Sequence, residues 1–229
     1  MYFQVKLSNK WRALPKLILC LLLIVLAVLG NSCSSNIAIS DYTGNVSIKV
    51  VGKQRSDHGS ACLPFATEEE LFSAADYIFS GKITRIQNIE IDCNGVKLYK
   101  SLIKMSVDQF LKGNYDTTDI TVMAGPVGGN RSGADLLDGL KKGDYGIFMA
   151  EAVAVDTYYE ENNCTWNVAE LCQAMFADDD RFGFIKESGK NAECRTSKSA
   201  YSSLTSYDWE SVIEYTEKMI SQNELEEYK

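Results

Sequence analysis

Two long segments flank the dipeptide Asn94-Gly95, the first rich in isoleucine, aromatic residues and threonine and the second with partly alternating apolar residues. This dipeptide between apolar segments is a strong signal for a two-residue β-hairpin turn. The first segment runs from Tyr77 to Ile91 and contains Gly81, which predicts a bulge or a bend within the strand. The second runs from Leu98 to Leu111. The sequence therefore predicts a long antiparallel hairpin near the middle of the chain.

Further strands and two helices surround this hairpin in the sequence. Asp119 to Ala124 and Tyr145 to Val155 are predicted strands, and the run Val46 to Val51 is a predicted edge strand. Thr67, followed three residues later by glutamate, forms a capping box that starts a short helix. Apolar residues from Trp209 onward follow helical spacing and predict a longer C-terminal helix. Short strands between turns favour a mainly β protein, a small barrel with flanking helices, over alternating βαβ units.

The apolar positions of the predicted strands form the predicted core. Alternation along the second hairpin strand places its apolar residues on one face of the sheet. The predicted core residues are Ile78, Ile83, Ile103, Met105, Val107, Ile120, Val122, Ile147 and Phe148.

The N-terminal segment has the layout of a secretory signal peptide. Residues 1–16 carry four basic residues and no acidic one, and an unbroken apolar or small run follows from Leu17 to Gly30. A membrane span needs about 20 apolar residues, so a cleaved signal ending at residue 30 or 32 is favoured. The alternatives are an anchor through residues 17–30 or a lipid on Cys33. The chain is expected to be secreted.

Charge and histidine content exclude several functions. Without residues 1–32 the chain has 19 basic and 31 acidic residues, so it lacks the basic face that binding to nucleic acid requires. His58 is the single histidine, and no metal site, cofactor site or Ser–His–acid triad is predicted. The glycine-rich run 125–133 predicts a loop, since it lacks the lysine of a P-loop. Asp178-Asp179-Asp180 predicts a solvated loop rather than a Ca²⁺ site. The sequence thus indicates a protein that is not an enzyme.

Four regions follow from these patterns. Residues 1–32 are the predicted signal peptide, 33–60 a flexible N-terminal extension, 61–206 the folded domain, and 207–229 an amphipathic helix packed on the barrel or following it. Residues 156–193 are acidic and predict irregular structure.

Six cysteines remain after signal cleavage, which suggests disulfides in an exported protein. Six cysteines allow 15 pairings, and the sequence alone selects none of them. Three Asn-x-Ser/Thr sequons, at Asn45, Asn130 and Asn163, are candidate glycosylation sites if the source is a eukaryote.

Five segments of the chain share an order and spacing with a known family. They are LFSAADYIFSGKITRI (71–86), IKMSVDQFLKGN (103–114), DITVMA (119–124), LKKGDYGIFMA (140–150) and AECRTSKSAYSSL (192–204). Together they resemble the tissue inhibitors of metalloproteinases and, more broadly, netrin-like modules. The resemblance spans about residues 60–206, with a strand ending in Lys-Gly and a late cysteine before Ser-Leu.

The resemblance implies a five-stranded OB-type barrel with helices packed on it. The capping box and the apolar spacing supply a short N-terminal and a longer C-terminal helix to flank this barrel. The resemblance also implies an inhibitory edge, which corresponds here to Ser60, Ala61, Cys62, Leu63 and Pro64 together with nearby loops. Inhibitors of this family chelate the protease zinc with the free amine of the first cysteine in a Cys-x-Cys start. Here Ser60 stands in that place inside the chain, so no free amine is available. The six-cysteine C-terminal module of the animal inhibitors has no counterpart in this chain.

The resemblance also implies one disulfide. In the family the second cysteine of Cys-x-Cys pairs with the cysteine before Ser-Leu, which corresponds to Cys62–Cys194. Cys164 and Cys172, eight positions apart, are then expected to pair, which leaves Cys33–Cys93 as the third pair.

Two functions follow as hypotheses. The first is a secreted netrin-like module that binds an extracellular protein, with a metalloendopeptidase as the implied class of partner. The second is a structural or matrix-associated scaffold with no protease target. Neither requires nucleic acid, a cofactor or a stable membrane span after signal cleavage.

Overall fold

A computed structural model of the chain describes residues 35–52, 67–128, 135–179, 181–188 and 192–226. Within these ranges the protein is mainly β, as predicted, and three α-helices accompany the strands. The elements are β1 (Asn36–Ile37), β2 (Tyr42–Thr43), β3 (Val46–Val50), α1 (Glu68–Ala74), β4 (Tyr77–Cys93), β5 (Val96–Lys112), β6 (Asp119–Ala124), α2 (Asp135–Asp138), β7 (Tyr145–Ala152), β8 (Tyr158–Glu161), β9 (Cys164–Asn167), β10 (Ala174–Phe176), β11 (Gly183–Lys186) and α3 (Trp209–Glu226).

The predicted hairpin is the longest feature of the fold. β4 and β5 each contain 17 residues and pair antiparallel along their whole length. Asn94 and Gly95 form the turn with φ of 52° and 89°, as a hairpin turn of the mirror-image type requires. The register shifts between Ser80 and Gly81, which confirms the predicted bulge. A Cβ at Gly81 would lie 2.5 Å from the carbonyl oxygen of Ser106, so the two strands approach closely there.

Two sheets contain all the strands of the described residues. The larger has the order β1-β3-β4-β5-β6-β10-β7-β11, and β4 also pairs with β7. β6 and β10 run parallel, while the other pairs of this sheet are antiparallel. The smaller sheet has the order β2-β9-β8.

Two sequence predictions of local structure are wrong. β3 lies between β1 and β4 rather than at an edge, and it draws residues 36–50 of the predicted flexible extension into the sheets. The segment 156–193 holds β8 to β11 rather than irregular structure. These strands have only three or four residues each, and their pairing with distant strands outweighs their weak local pattern.

All nine predicted core residues are buried. Seven of them form one cluster between the strands, whereas Ile78 and Ile147 belong to a second cluster. Along β7 the side chains alternate between the two, so that Phe148 and Ala150 join the first while Ile147 and Met149 join the second. The second cluster is where α1 and α3 cover the sheet, and this explains why β7 is apolar on both faces.

The C-terminal helix confirms its predicted pattern. The apolar face of α3 buries Val212, Tyr215, Met219 and Ile220. Asp208 precedes the helix and accepts hydrogen bonds from the amide and the hydroxyl of Ser211, at 3.0 and 2.7 Å. No helix among the described residues is both long and apolar enough to cross a membrane.

Candidate functional site

The predicted inhibitory edge, from Ser60 to Pro64, lies outside the described residues, as does His58. The residues next to it in the chain are those of α1, which begins one residue after Thr67. The surroundings of α1 are therefore the part of the candidate site that the structure describes.

A capping box fixes the start of α1. The Thr67 hydroxyl accepts a hydrogen bond from the Glu70 amide at 3.2 Å, and the Thr67 amide donates to the Glu70 carboxylate at 2.6 Å. This confirms the sequence prediction, since both hydrogen bonds of the motif are present. The capping box thus fixes the backbone at Thr67, where the chain enters α1.

Glu68 connects α1 to the C-terminal part of the chain. Its carboxylate accepts hydrogen bonds from the Ser202 hydroxyl and the Ser203 amide, each at 2.9 Å, from the Ser203 hydroxyl, and from the Tyr215 hydroxyl at 2.8 Å. Burial by itself raises the pKa of Glu68, but these hydrogen bonds outweigh it and hold the pKa below its ordinary value. The carboxylate is therefore charged at neutral pH and joins three elements that are distant in sequence.

An aromatic cluster packs against the buried side of α1. Phe72 packs edge-on against Tyr215, with ring centroids 5.8 Å apart, and Phe184 contacts Tyr201 at 4.4 Å. Phe72, Phe184 and Tyr201 are fully buried. Lys112, at the end of β5, donates to the carbonyl oxygen of Phe72 at 2.8 Å and so anchors the C-terminal turn of α1. The sequence pattern did not indicate the aromatic contacts, because their residues come from four separate elements.

Cys194, one partner of the implied disulfide, lies in this cluster. It is buried together with Leu71 and Phe72 of α1. Burial raises the pKa of Cys194 to about 11, so a free thiol here stays protonated at neutral pH. Its implied partner, Cys62, is outside the described residues.

The loop after β6 begins at the same end of the sheet as α1. Tyr77 at the start of β4 is the register partner of Ala150, and Ala150 is also the partner of Phe176 in β10. The next residue pair along β10 joins Met175 to Met123, near the end of β6. The start of β4 and the end of β6 are therefore separated by two intervening strands, β7 and β10.

The first acidic residues of the run 178–180 have structural partners. Asp178 pairs with Arg181, with an oxygen-to-nitrogen distance of 2.7 Å, and Asp179 accepts from the Gly125 amide at 2.9 Å. Asp180 lies outside the described residues. The predicted solvated loop is thus partly tied to the protein, and Asp179 holds the start of the loop 125–133. Among the residues that the structure describes, no group of three His, Cys, Asp or Glu side chains is placed to hold a metal ion.

Two of the three glycosylation candidates are exposed. Asn45 precedes β3 in a turn, and Asn163 occupies the turn between β8 and β9 with φ of 60°. Asn130 is outside the described residues.

The four described cysteines are buried and carry free thiols. Cys164 and Cys172 are not bonded to each other in this structure, so the predicted Cys164–Cys172 pairing is absent from it. Cys164 instead lies in the same buried cluster as Cys93, a proximity that no sequence signal predicts. Cys33, the predicted partner of Cys93, lies outside the described residues.

Comparison of the chain with protein-family models, curated proteins and solved structures finds no significant match. The resemblance to the tissue inhibitors of metalloproteinases therefore depends on the quoted segments alone.

Proposed function

We propose that this chain is an exported netrin-like binding module whose edge, Ser60 to Pro64, contacts an extracellular protein. A metalloendopeptidase is the class of partner that the resemblance implies. The fold within this proposal is a five-stranded OB-type barrel with helices packed on it.

The strand pairing carries this proposal. Starting at β4, the pairings lead through β5, β6, β10 and β7 and return to β4. We take the five strands joined in this ring, with one parallel contact between β6 and β10, as support for the OB-type barrel of the proposal. The ring comes from pairings that the sequence resemblance did not use, so it is independent support.

The position of the loop 125–133 gives further support. The proposed binding edge combines the segment 60–64 with nearby loops, and only two strands, β7 and β10, separate the start of this loop from the start of β4. Thr67, only three residues after Pro64, is fixed by the capping box at the start of α1. We propose that the two segments contact one partner.

Ser60 determines how such a module would act. Because an internal serine replaces the first cysteine of the family, no free α-amine is available to chelate a protease zinc. Binding would then depend on surface contact by the edge, and the side chains of Leu63 and Pro64 are its apolar residues. We expect affinity without the metal chelation of the family.

A fluorogenic-peptide assay with the exported protein and several metalloendopeptidases tests the proposal. We expect inhibition at micromolar concentration, and a loss of about tenfold or more for Leu63→Glu, because one buried apolar contact contributes about 1.5–3 kcal/mol. Val155→Glu is the control, since Val155 is 84% exposed and outside the proposed edge. Its inhibition should equal that of the wild type.

Immobilised metalloendopeptidases separate binding from inhibition in a second measurement. Retention without inhibition would support a binding module that is not an inhibitor. If the chain shows no retention and no inhibition at micromolar concentration, that result would contradict the metalloendopeptidase proposal and favour the scaffold hypothesis. N-terminal sequencing of the secreted protein tests export, and an intact Met1 in a soluble cytosolic fraction would contradict it.

A further inference from the structure

Two hairpin turns that are distant in sequence meet at one place in the molecule. Asn94, in the turn after β4, donates from its side chain to the carbonyl oxygen of Asn162, at 2.9 Å. Asn162, in the turn before β9, donates from its side chain to the carbonyl oxygen of Cys93 at 3.0 Å. These reciprocal hydrogen bonds hold the end of β4 against the start of β9. Cys93 is the last residue of β4 and Cys164 the first of β9.

A third turn packs on the Cys164 sulfur. The Cys164 thiol donates to the carbonyl oxygen of Asn45 at 3.7 Å, and the Asn94 amide donates to the same oxygen at 3.1 Å. A Cβ at Gly44 would lie only 2.7 Å from the sulfur of Cys164. The sulfur is therefore held on the side of β9 where the turn after Cys93 also lies.

Cys93 and Cys164 belong to the same hydrophobic cluster, and both side chains are fully buried. We propose that Cys93 and Cys164 form a disulfide when the protein is in oxidising surroundings. The oxidant is a disulfide of the small-molecule or oxidoreductase class. Its sulfur–sulfur bond breaks, its two sulfurs take the two electrons and two protons lost by Cys93 and Cys164, and the new sulfur–sulfur bond forms between the cysteines.

The other described cysteines do not share this position. The Cys172 thiol donates to the carbonyl oxygen of Val168 at 3.7 Å, and its surroundings include the backbone of Met123 and Ala174. Cys194 belongs to the cluster beneath α1 and α3 rather than to the one that contains Cys93, Cys164 and Cys172. Within the described residues, Cys93 and Cys164 are therefore the pair that the fold brings together.

The disulfide would connect the two sheets of the protein. β4 belongs to the eight-stranded sheet and β9 to the three-stranded sheet. The two cysteines are about 70 residues apart, so the bond would close a long loop and restrict the unfolded chain strongly. We expect the oxidised protein to melt roughly 10 °C higher than the reduced protein.

Protonation of Cys93 slows its own attack on the oxidant. Burial, assisted by the neighbouring Cys164, raises the pKa of Cys93 to about 11. Because the thiolate is the attacking form, attack by Cys93 should be slow at neutral pH and faster as the pH rises toward 11. The proposal needs no protease target and depends on export only for the oxidising compartment.

Peptide mapping of the wild-type chain tests the proposal without any variant. The chain is prepared both as the exported form and as the full chain in mild detergent, so that the result does not depend on export. Each is oxidised with glutathione disulfide, denatured, alkylated and digested with trypsin without reduction. We expect a disulfide between peptide 86–97, which contains Cys93, and peptide 143–181. A second protease that cleaves after Trp166 then separates Cys164 from Cys172.

Thermal melting of three variants supplies the matched control. In a Cys62→Ala background, which removes any bridge to Cys194, the difference between oxidised and reduced melting temperatures is expected to vanish in Cys93→Ala and Cys164→Ala. Cys172→Ala should keep it, although it also removes a buried thiol. Alkylation of both Cys93 and Cys164 after oxidation, or Cys164 joined to Cys172, or Cys93 joined to Cys33, would overturn the proposal.

Discussion

Glu68 joins the N-terminal helix α1 to the C-terminal part of the chain through hydrogen bonds. Its carboxylate accepts four hydrogen bonds from Ser202, Ser203 and Tyr215. Burial, followed by the hydrogen bond to this carboxylate, raises the pKa of the Tyr215 hydroxyl well above its ordinary value, so the hydroxyl remains a donor at all working pH values. The carboxylate of Glu68 therefore accepts hydrogen bonds only from donors that stay uncharged as the pH changes.

We predict that Glu68→Gln lowers the free energy of unfolding at pH 7 by roughly 1–2 kcal/mol, since hydrogen bonds to a charged group are replaced by neutral ones. The folded pKa of Glu68 lies below its ordinary value of 4.5, so its contribution is present above that value and is lost as the pH falls through the folded pKa. Urea unfolding at pH 7 and at pH 3 should show the difference between variant and wild type shrinking at pH 3.

Glu69→Gln is the matched control for this prediction. Glu69 lies in the same first turn of α1, and its side chain is exposed. Its substitution should change stability by less than about 0.5 kcal/mol. Equal losses for both variants would mean that helix charge, rather than the hydrogen bonds of Glu68, stabilises this end of the protein.

At the scale of elements, β5 combines a buried face with exposed positions. Met105 is fully buried in the cluster between the strands, whereas Gln109 on the same strand is exposed. We predict that Met105→Asp costs on the order of 4 kcal/mol of unfolding free energy, because it buries a charge with no partner. Gln109→Asp should cost less than about 1 kcal/mol. Thermal melting of both variants measures this, and similar melting temperatures would contradict the burial of Met105 in the core.

Elements with strong local chemistry could be predicted from the sequence. The Asn94-Gly95 turn, the Thr67 capping box and the period of α3 each act over a few residues, and the structure contains all three. β10, by contrast, has three residues and exists because it pairs with both β6 and β7. Its stability comes from strands that are distant in sequence, so no local pattern could reveal it.

The candidate site could be predicted only in part for the same reason. The capping box that leads the chain from the proposed edge into the fold is a local signal. The partners of Glu68 lie more than 130 residues away in the sequence. The contact between Cys93 and Cys164 likewise arises because two hairpin turns meet, and the spacing of cysteines in the sequence favoured Cys164–Cys172 instead. Contacts between elements that are distant in sequence can be identified only once the fold is known.

At the scale of the whole molecule, cross-links between distant segments would determine how strongly it resists unfolding. Cys194 is buried next to Leu71 and Phe72 of α1. Cys62 lies five residues before Thr67, and five residues of extended chain span about 17 Å. The family resemblance pairs Cys62 with Cys194, and the position of Cys194 beneath α1 is compatible with that pairing.

We predict a Cys62–Cys194 disulfide that contributes on the order of 4–5 kcal/mol, because it closes a loop of about 130 residues. Because burial holds the pKa of Cys194 near 11, an unpaired Cys194 would escape alkylation in the folded protein, so labelling must follow denaturation. Mapping of the oxidised chain without reduction should then find Cys62 joined to Cys194 and neither one alkylated. Alkylated Cys194, or Cys62 joined to another cysteine, would contradict the pairing. A Cys62→Ala variant that melted at the wild-type temperature would show that the bridge, even if formed, adds no stability.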